Sequence, residues 1–225
     1  MASYLDRCNE LLGEEKITSF KDKTILIVGL GGVGGTALNA LARSGFNHFI
    51  IVDKDVVDIT NINRQIMYTS LDVNRNKVDV CEEALLKINP EIKVEKHCTF
   101  IDENSINELK DKKIDFIVDA IDYIPGKIAL IKLALEKHIP FIVSLGMGNR
   151  IDGEKVTITK LNKTENDPLA KKIRYLLRQD NIDLKNINVV FSKEIPLVKQ
   201  PHPASMIMVP SQAGLLIAKY AIENI

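Results

Sequence analysis

Thr24-Ile-Leu-Ile-Val28 runs directly into Gly29-Leu-Gly31-Gly-Val-Gly34, and few folds accommodate that junction. A short apolar run closed by glycine reads as a strand buried on both faces, as in a parallel sheet. The G-x-G-x-x-G spacing then opens Val33–Ser44, whose small and apolar residues recur at helical intervals. Glycine permits the tight turn and lets a phosphate come close to the backbone. The helix N-terminus adds free N–H groups and a partial positive charge. Gly29, Gly31 and Gly34 are therefore candidate nucleotide-binding residues. Asp53 closes the next apolar run, Phe49–Val52, roughly 20 residues farther on, where a carboxylate can accept from ribose hydroxyls.

The same rhythm continues to about residue 150. Lys77–Ile88 reads as an amphipathic helix stopped by Asn89-Pro90, Ile92–Val94 as a weak strand and Ile114–Asp119 as a stronger one. Pro125 suits the start of a helix running to about His138, and Phe141–Leu145 reads as a fifth strand. Alternation of this kind predicts an α/β fold, a Rossmann-like, doubly wound, mostly parallel sheet. Residues 1–150 are expected to form the nucleotide-binding core, with residues 151–225 as a C-terminal mixed strand and helix extension of the same domain. In that extension Lys155–Leu161 alternates like an edge or antiparallel strand. Asp167-Pro168 reads as an N-cap and first helical position before Leu169–Arg178. Val189–Ser192 suggests another strand and Ser211–Ile222 a closing helix. The four prolines between 195 and 210 predict a mobile loop that also carries His202.

A glycine loop alone fits an NAD-dependent oxidoreductase equally well. The polar run Asp53-Lys54-Asp55, followed by Thr60-Asn61-Ile62-Asn63-Arg64-Gln65, argues for a different chemistry. Attack at an α-phosphate builds negative charge, which Arg64 and Lys77 would neutralise, while Asn61 can hold phosphate or ribose oxygens. Asp122, in Asp119-Ala-Ile-Asp122 after the fourth strand, is a candidate Mg²⁺ ligand, since hard cations prefer carboxylate oxygen. The plainer readings are a surface ion pair for Arg64, a solvated helix charge for Lys77 and an N-cap for Asp122.

Composition narrows the field further. The 30 Lys and Arg are balanced by 30 Asp and Glu, which gives no support for bulk nucleic-acid binding but allows a local basic patch. Lys171, Lys172, Arg174 and Arg178, with Lys193 and Lys199 beyond, offer such a patch, or simply a solvated helix face. Cys8, Cys81 and Cys98 form no C-x-x-C pair, so burial or no role is their default. No apolar run approaches the roughly 20 residues of a membrane span, and the first residues lack a signal-peptide core; a cytoplasmic protein is expected.

Taken as an ordered set, VGLGGVGG, VDKDVVDITNINRQ, Lys77, INPEIKV and DAID resemble the ThiF/MoeB/HesA group of ubiquitin-activating-like adenylating enzymes, over about residues 7–150. The resemblance implies ATP and Mg²⁺ as cofactors, adenylation of a carboxylate, and a homodimer. It implies that Gly31 and Gly34 line the nucleotide, that Asp53 and Asp55 serve the ribose end, and that Asn61, Arg64 and Lys77 meet the phosphates. Asp122 would stand near the metal and α-phosphate, and Arg7 would reach the ATP of a partner subunit. Asn166-Asp167-Pro168-Leu169-Ala170, Val190–Glu194 and Val209-Pro210 with Ala213-Gly214 look like the tRNA threonylcarbamoyladenosine dehydratase branch. That branch implies a tRNA carrying threonylcarbamoyladenosine as partner and a cyclising dehydration. The absence of paired C-x-x-C, and of any cysteine after Cys98, departs from relatives with structural zinc or a thioester-forming cysteine. It fits a dehydratase better than the other adenylating reading, activation of the C-terminal glycine of a sulfur-carrier protein.

Overall fold

In the computed structural model, which describes residues 2–198 and 203–225, seven strands form one sheet in the order β3-β2-β1-β4-β5-β7-β6. β1 (Thr24–Val28), β2 (His48–Val52), β3 (Lys93–His97), β4 (Phe116–Asp119), β5 (Phe141–Ser144) and β7 (Asn188–Ser192) run parallel. Only β6 (Val156–Lys160) is antiparallel, at the edge beside β7, which matches its alternating sequence. The strands of the extension thus continue the hydrogen-bonded ladder of the first half.

The period-two geometry of a strand explains why β1 is apolar throughout. Ile25 and Ile27 point into one core, and Leu26 and Val28 into another on the opposite face. The first core is covered by α3 (Gly32–Arg43), α4 (Lys77–Ile88) and α7 (Met208–Asn224). The second is covered by α5 (Ile124–Glu136) and α6 (Pro168–Gln179). Small residues of α7, Ala213, Gly214, Ala218 and Ala221, are buried in its packed face. Asp167 caps α6 as its sequence predicts, accepting from the N–H of Ala170 at 2.9 Å.

One feature lies where the sequence-based reading assigns no element, and another departs from its expectation. Residues 6–20 form two short helices, α1 (Asp6–Leu12) and α2 (Glu14–Phe20), broken at Gly13, where φ is +86°. Seven residues are too few for a readable apolar period, but Ile17 and Phe20 anchor this segment, with Phe20 stacked on Phe46 at 4.4 Å. The Pro-rich connection also ends earlier than its prolines suggest. α7 begins at Met208, so Pro210 lies in its first turn, where a missing N–H costs nothing. Lys199, Pro201 and His202 lie outside the described residues.

Beneath the carboxyl end of β4 lies a charge pair that the sequence does not announce. Lys127 of α5 is fully buried, and its Nζ lies 2.8 Å from Oδ1 of Asp119, which is itself 1% exposed. The same oxygen accepts from the N–H of Ile121 at 3.3 Å, while Oδ2 has no partner among the described residues. Burial pushes the Asp119 carboxyl above the usual carboxylate range, against the pull of the Lys127 ammonium. Removing one member strands the other charge in an apolar core, so Lys127→Met is expected to lower stability by about 3–5 kcal/mol. Urea denaturation of Lys127→Met, Asp119→Leu and the double variant would check this; the double variant should lose less than the sum of the singles.

Candidate adenylation site

β1 is flanked by β2 on one side and β4 on the other, so the order of connections reverses between β1 and β4. In such sheets ligands bind outside the carboxyl ends of the strands at this reversal. A cleft of about 340 Å³ opens there, lined by Gly29, Gly31, Asp53, Asp55, Asn61, Arg64, Lys77 and Asp122 among others.

Its floor is the turn between β1 and α3. Gly29 has φ +89°, and a Cβ on it would meet the Ala120 carbonyl oxygen at 2.7 Å. A Cβ on Gly34 would fall 1.8 Å from the carbonyl oxygen of Gly29. Gly34 therefore does not line the cleft; it lets the first turn of α3 close onto the end of β1. Asp53 holds the turn from the other side. Its Oδ2 accepts from the N–H of Leu30 at 2.7 Å and its Oδ1 from the N–H of Asp55 at 2.8 Å. A carboxylate offers about four acceptor positions, so this clamp leaves capacity for ribose hydroxyls.

The wall opposite the turn comes from residues 53–77. Lys77, the first residue of α4, is buried, and its Nζ lies 3.2 Å from Asp55. Its environment is thus a paired, desolvated one and not the solvated helix face of the plainer reading. Asn61 is oriented by the turn it belongs to, with its side-chain oxygen accepting from the N–H of Asp58 at 3.2 Å. Hydrogen bonds from Thr60 hold the Asp58 carboxyl below its ordinary range. Arg64 has no carboxylate partner among the described residues. One of its terminal nitrogens donates to the Thr60 carbonyl at 2.8 Å and to the Asn63 side chain at 3.0 Å, leaving further guanidinium donors for a ligand. Asp122 is exposed at the mouth of the cleft and does not cap α5, whose N-cap is Tyr123.

A second cleft, of about 560 Å³, adjoins the first and shares Gly31, Arg64 and Asp122 with it. It extends past the end of β5 between residues 144–150 and 167–169, toward Pro196, Pro203 and Ser205. Its wall is fixed by Arg150, which is buried without a carboxylate partner among the described residues. The Arg150 guanidinium donates to the carbonyls of Gly146, Gly148, Asn166 and Glu194 at 2.7–3.3 Å. Glu194 in turn accepts from the N–H groups of Ile151 and Asp152. Three stretches, residues 146–152, Asn166 and Glu194, are tied together here, and only the tertiary structure reveals it.

Residues 5–200 match the profile of the ThiF family. The chain is a member of that family. ThiF-family relatives include the tRNA threonylcarbamoyladenosine dehydratase of Bacillus subtilis, 37% identical over 96% of this chain and 92% of the relative. Among solved structures, Escherichia coli tRNA N6-threonylcarbamoyladenosine dehydratase in complex with ATP superposes with a TM-score of 0.92 at 33% identity, covering 98% of this chain and 92% of the other. The same enzyme in complex with AMP gives 0.90 at 33% identity, covering 96% and 90%.

Arg7 is the one predicted site residue far from the cleft in a single chain. It sits on α1, exposed, and pairs with Glu10 at 3.2 Å. The cysteines offer no nucleophile at the site. Cys81 is buried beside Tyr68, and burial pushes its thiol up to about 12; Cys8 and Cys98 do not line the cleft. The sequence also left Phe100 and Tyr123 unassigned. Their rings lie 4.4 Å apart at the rim, with the Lys54 ammonium 5.2 Å from the Phe100 ring centre. No periodicity marks residues 98–101, which follow the weak strand β3 in a loop.

Two glycines give opposite expectations. Gly34→Ala drives a methyl group into a backbone carbonyl and should cost about 3 kcal/mol or more. Gly31→Ala, with φ −71° and nothing nearer than 3.9 Å to the new methyl, should fold with nearly unchanged stability. Thermal melts of the two variants would separate the glycine that shapes the turn from the one that faces the ligand.

Proposed function

We propose that the chain adenylates the carboxylate of threonylcarbamoyladenosine in tRNA with ATP and then closes that group into a cyclic, dehydrated form. The observation that carries this reading is the placement of Arg64 and Asp122 where the two clefts meet. The first cleft, over the glycine turn, suits the nucleotide. The second, beyond β5, suits the acceptor. A carboxylate in the second would then face the α-phosphate of a nucleotide in the first.

The chemistry follows from that arrangement. The carboxylate oxygen attacks the α-phosphorus, pyrophosphate leaves, and an acyl-adenylate forms. Arg64, with free guanidinium donors, and Lys77, able to exchange Asp55 for a phosphate, stabilise the charge that accumulates in the transition state. Their role is electrostatic and needs no proton transfer. A nitrogen or oxygen of the same threonylcarbamoyl group then displaces AMP. Tethering makes that step effectively unimolecular, and no enzyme thiol is needed.

The donor set at the cleft mouth also fits Mg²⁺. Asp122 is a single exposed carboxylate with no ion-pair partner among the described residues, and Mg²⁺ commonly takes one or two carboxylates, several waters and the phosphates themselves. When bound, the ion would neutralise phosphate charge. A homodimer in the cytoplasm belongs to the same reading. The dimer is supported by α1, which presents Arg7 together with Leu11 at 80% exposure, and by Leu71 at 89% in a groove shared with Tyr4. No helix among the described residues is long and apolar enough to cross a membrane. A docking face for tRNA is supported by α6, whose outer side exposes Lys171, Lys172 and Arg178; such contacts would weaken steeply with added salt.

Incubation with labelled ATP and either tRNA or a sulfur-carrier protein tests the acceptor directly. Pyrophosphate release should appear with threonylcarbamoylated tRNA; release with the carrier protein alone would overturn the assignment. Arg64→Ala and Asp122→Ala should each reduce AMP formation by at least about 100-fold while leaving the circular dichroism spectrum unchanged. Normal turnover in either variant would remove the proposed centre.

A further inference from the structure

The segment that delivers Arg64 to the cleft carries one buried polar side chain without a partner among the described residues. Gln65 is 5% exposed and lines the same cleft. Its backbone is fixed by ordinary bonds: its N–H donates to the Asn61 carbonyl at 2.9 Å, and its carbonyl accepts from Tyr68 at 3.1 Å. Its side-chain carboxamide makes no hydrogen bond with any described residue, and Oε1 is wholly shut off from solvent. Neighbouring buried polar groups behave differently. Lys77 pairs with Asp55, and the Tyr68 hydroxyl donates to the Leu30 carbonyl at 2.9 Å.

A buried amide oxygen with no partner is destabilising, since it gives up its bonds to water and gains none. The nitrogen end of this amide, which likewise makes no hydrogen bond with a described residue, is turned toward the glycine loop. Gln65 Nε2 lies 3.9 Å from the point a Cβ on Gly31 would occupy, beside the residue that caps the N-terminus of α3. That helix is twelve residues long, and its N-terminal N–H groups favour an anion. The carboxamide NH₂ is a neutral donor, and phosphoryl oxygens only accept.

We infer that Gln65 is a nucleotide-binding residue, its carboxamide NH₂ donating to a phosphoryl oxygen of ATP held at the glycine turn. The inference rests on the adenylating reading and extends it. Gln65 is a hydrogen-bond donor held in place before the ligand arrives, and its contribution to stability in the free protein is negative. Arg64 and Lys77 supply charge; Gln65 supplies direction, because its backbone is pinned at both ends.

The test uses Gln65→Leu, which keeps the shape and removes the polar atoms, and Gln65→Glu, which keeps the shape and replaces the donor by an acceptor. Melting temperature is measured without ligand, and calorimetric titration is run with ATP and with adenosine. For Gln65→Leu the ligand-free protein should melt higher than wild type, ATP affinity should fall about five- to tenfold, and adenosine affinity should stay unchanged. Gln65→Glu should lose more ATP affinity than Gln65→Leu, again with adenosine unaffected. Undiminished ATP binding in both variants, or an equal loss for adenosine, would overturn the role of Gln65 alone. Failure of the wild-type protein to bind ATP would remove the adenylating reading and this inference with it.

Discussion

The site depends on how closely three backbone segments approach one another at the carboxyl ends of β1 and β4. Gly29 rests against the Ala120 carbonyl, and Gly34 rests against Gly29. Neither contact leaves space for a side chain. This closeness brings the N-terminus of α3, the end of β2 with Asp53, and the Ala120–Asp122 turn to the edge of a single cleft. Beneath it, the Asp119–Lys127 pair and the Asp119 bond to the Ile121 N–H hold that last turn from below. A buried ion pair is a poor source of stability. Here it fixes the direction in which β4 delivers Asp122.

Around that floor the electrostatics are arranged in layers. Asp53 is spent largely on backbone N–H groups, and Asp55 neutralises Lys77 in the free protein. Arg64 keeps donors in reserve. In the reading proposed above, a triphosphate would meet a Lys77 ammonium already desolvated and paired, so little reorganisation would accompany the reaction. The second cleft is built differently. Arg150 holds its wall by bonding four carbonyl oxygens, a neutral set of acceptors that orients the loops.

Much of this was legible beforehand because it is local. The strand–glycine–helix junction, the Asp167 cap and the alternation of β6 are each written within a dozen residues. Lys77–Ile88 coincides with α4 at both ends, since Asn89-Pro90 leaves no other place to stop. Asp53, Asp55 and Asp122 converge on one cleft because each lies at or just beyond a strand end, and strand ends in a parallel sheet point the same way. Asn61, Arg64 and Lys77 reach it through the connection after β2, which returns so that the Lys77 N–H donates to the Asp55 carbonyl at 3.0 Å. α1 and α2 were illegible for the converse reason: at seven residues each, they are held by Ile17 and Phe20 packing on a distant core and not by their own propensity.

By itself, then, the sequence determined the class of fold and the position of the glycine turn, because short-range sterics and periodicity dictate both, and it named most of the charged residues that line the cleft over that turn. Tertiary structure alone decided what those residues do when no ligand is bound. That Lys77 is paired with a carboxylate and Arg64, among the described residues, is not, that Gly34 packs and Gly31 faces the cleft, that Lys127 is buried under Asp119 and the Gln65 side chain finds no partner among those residues, are outcomes of contacts between segments far apart in the chain. Such contacts depend on which groups exclude water from one another, and no local pattern records that.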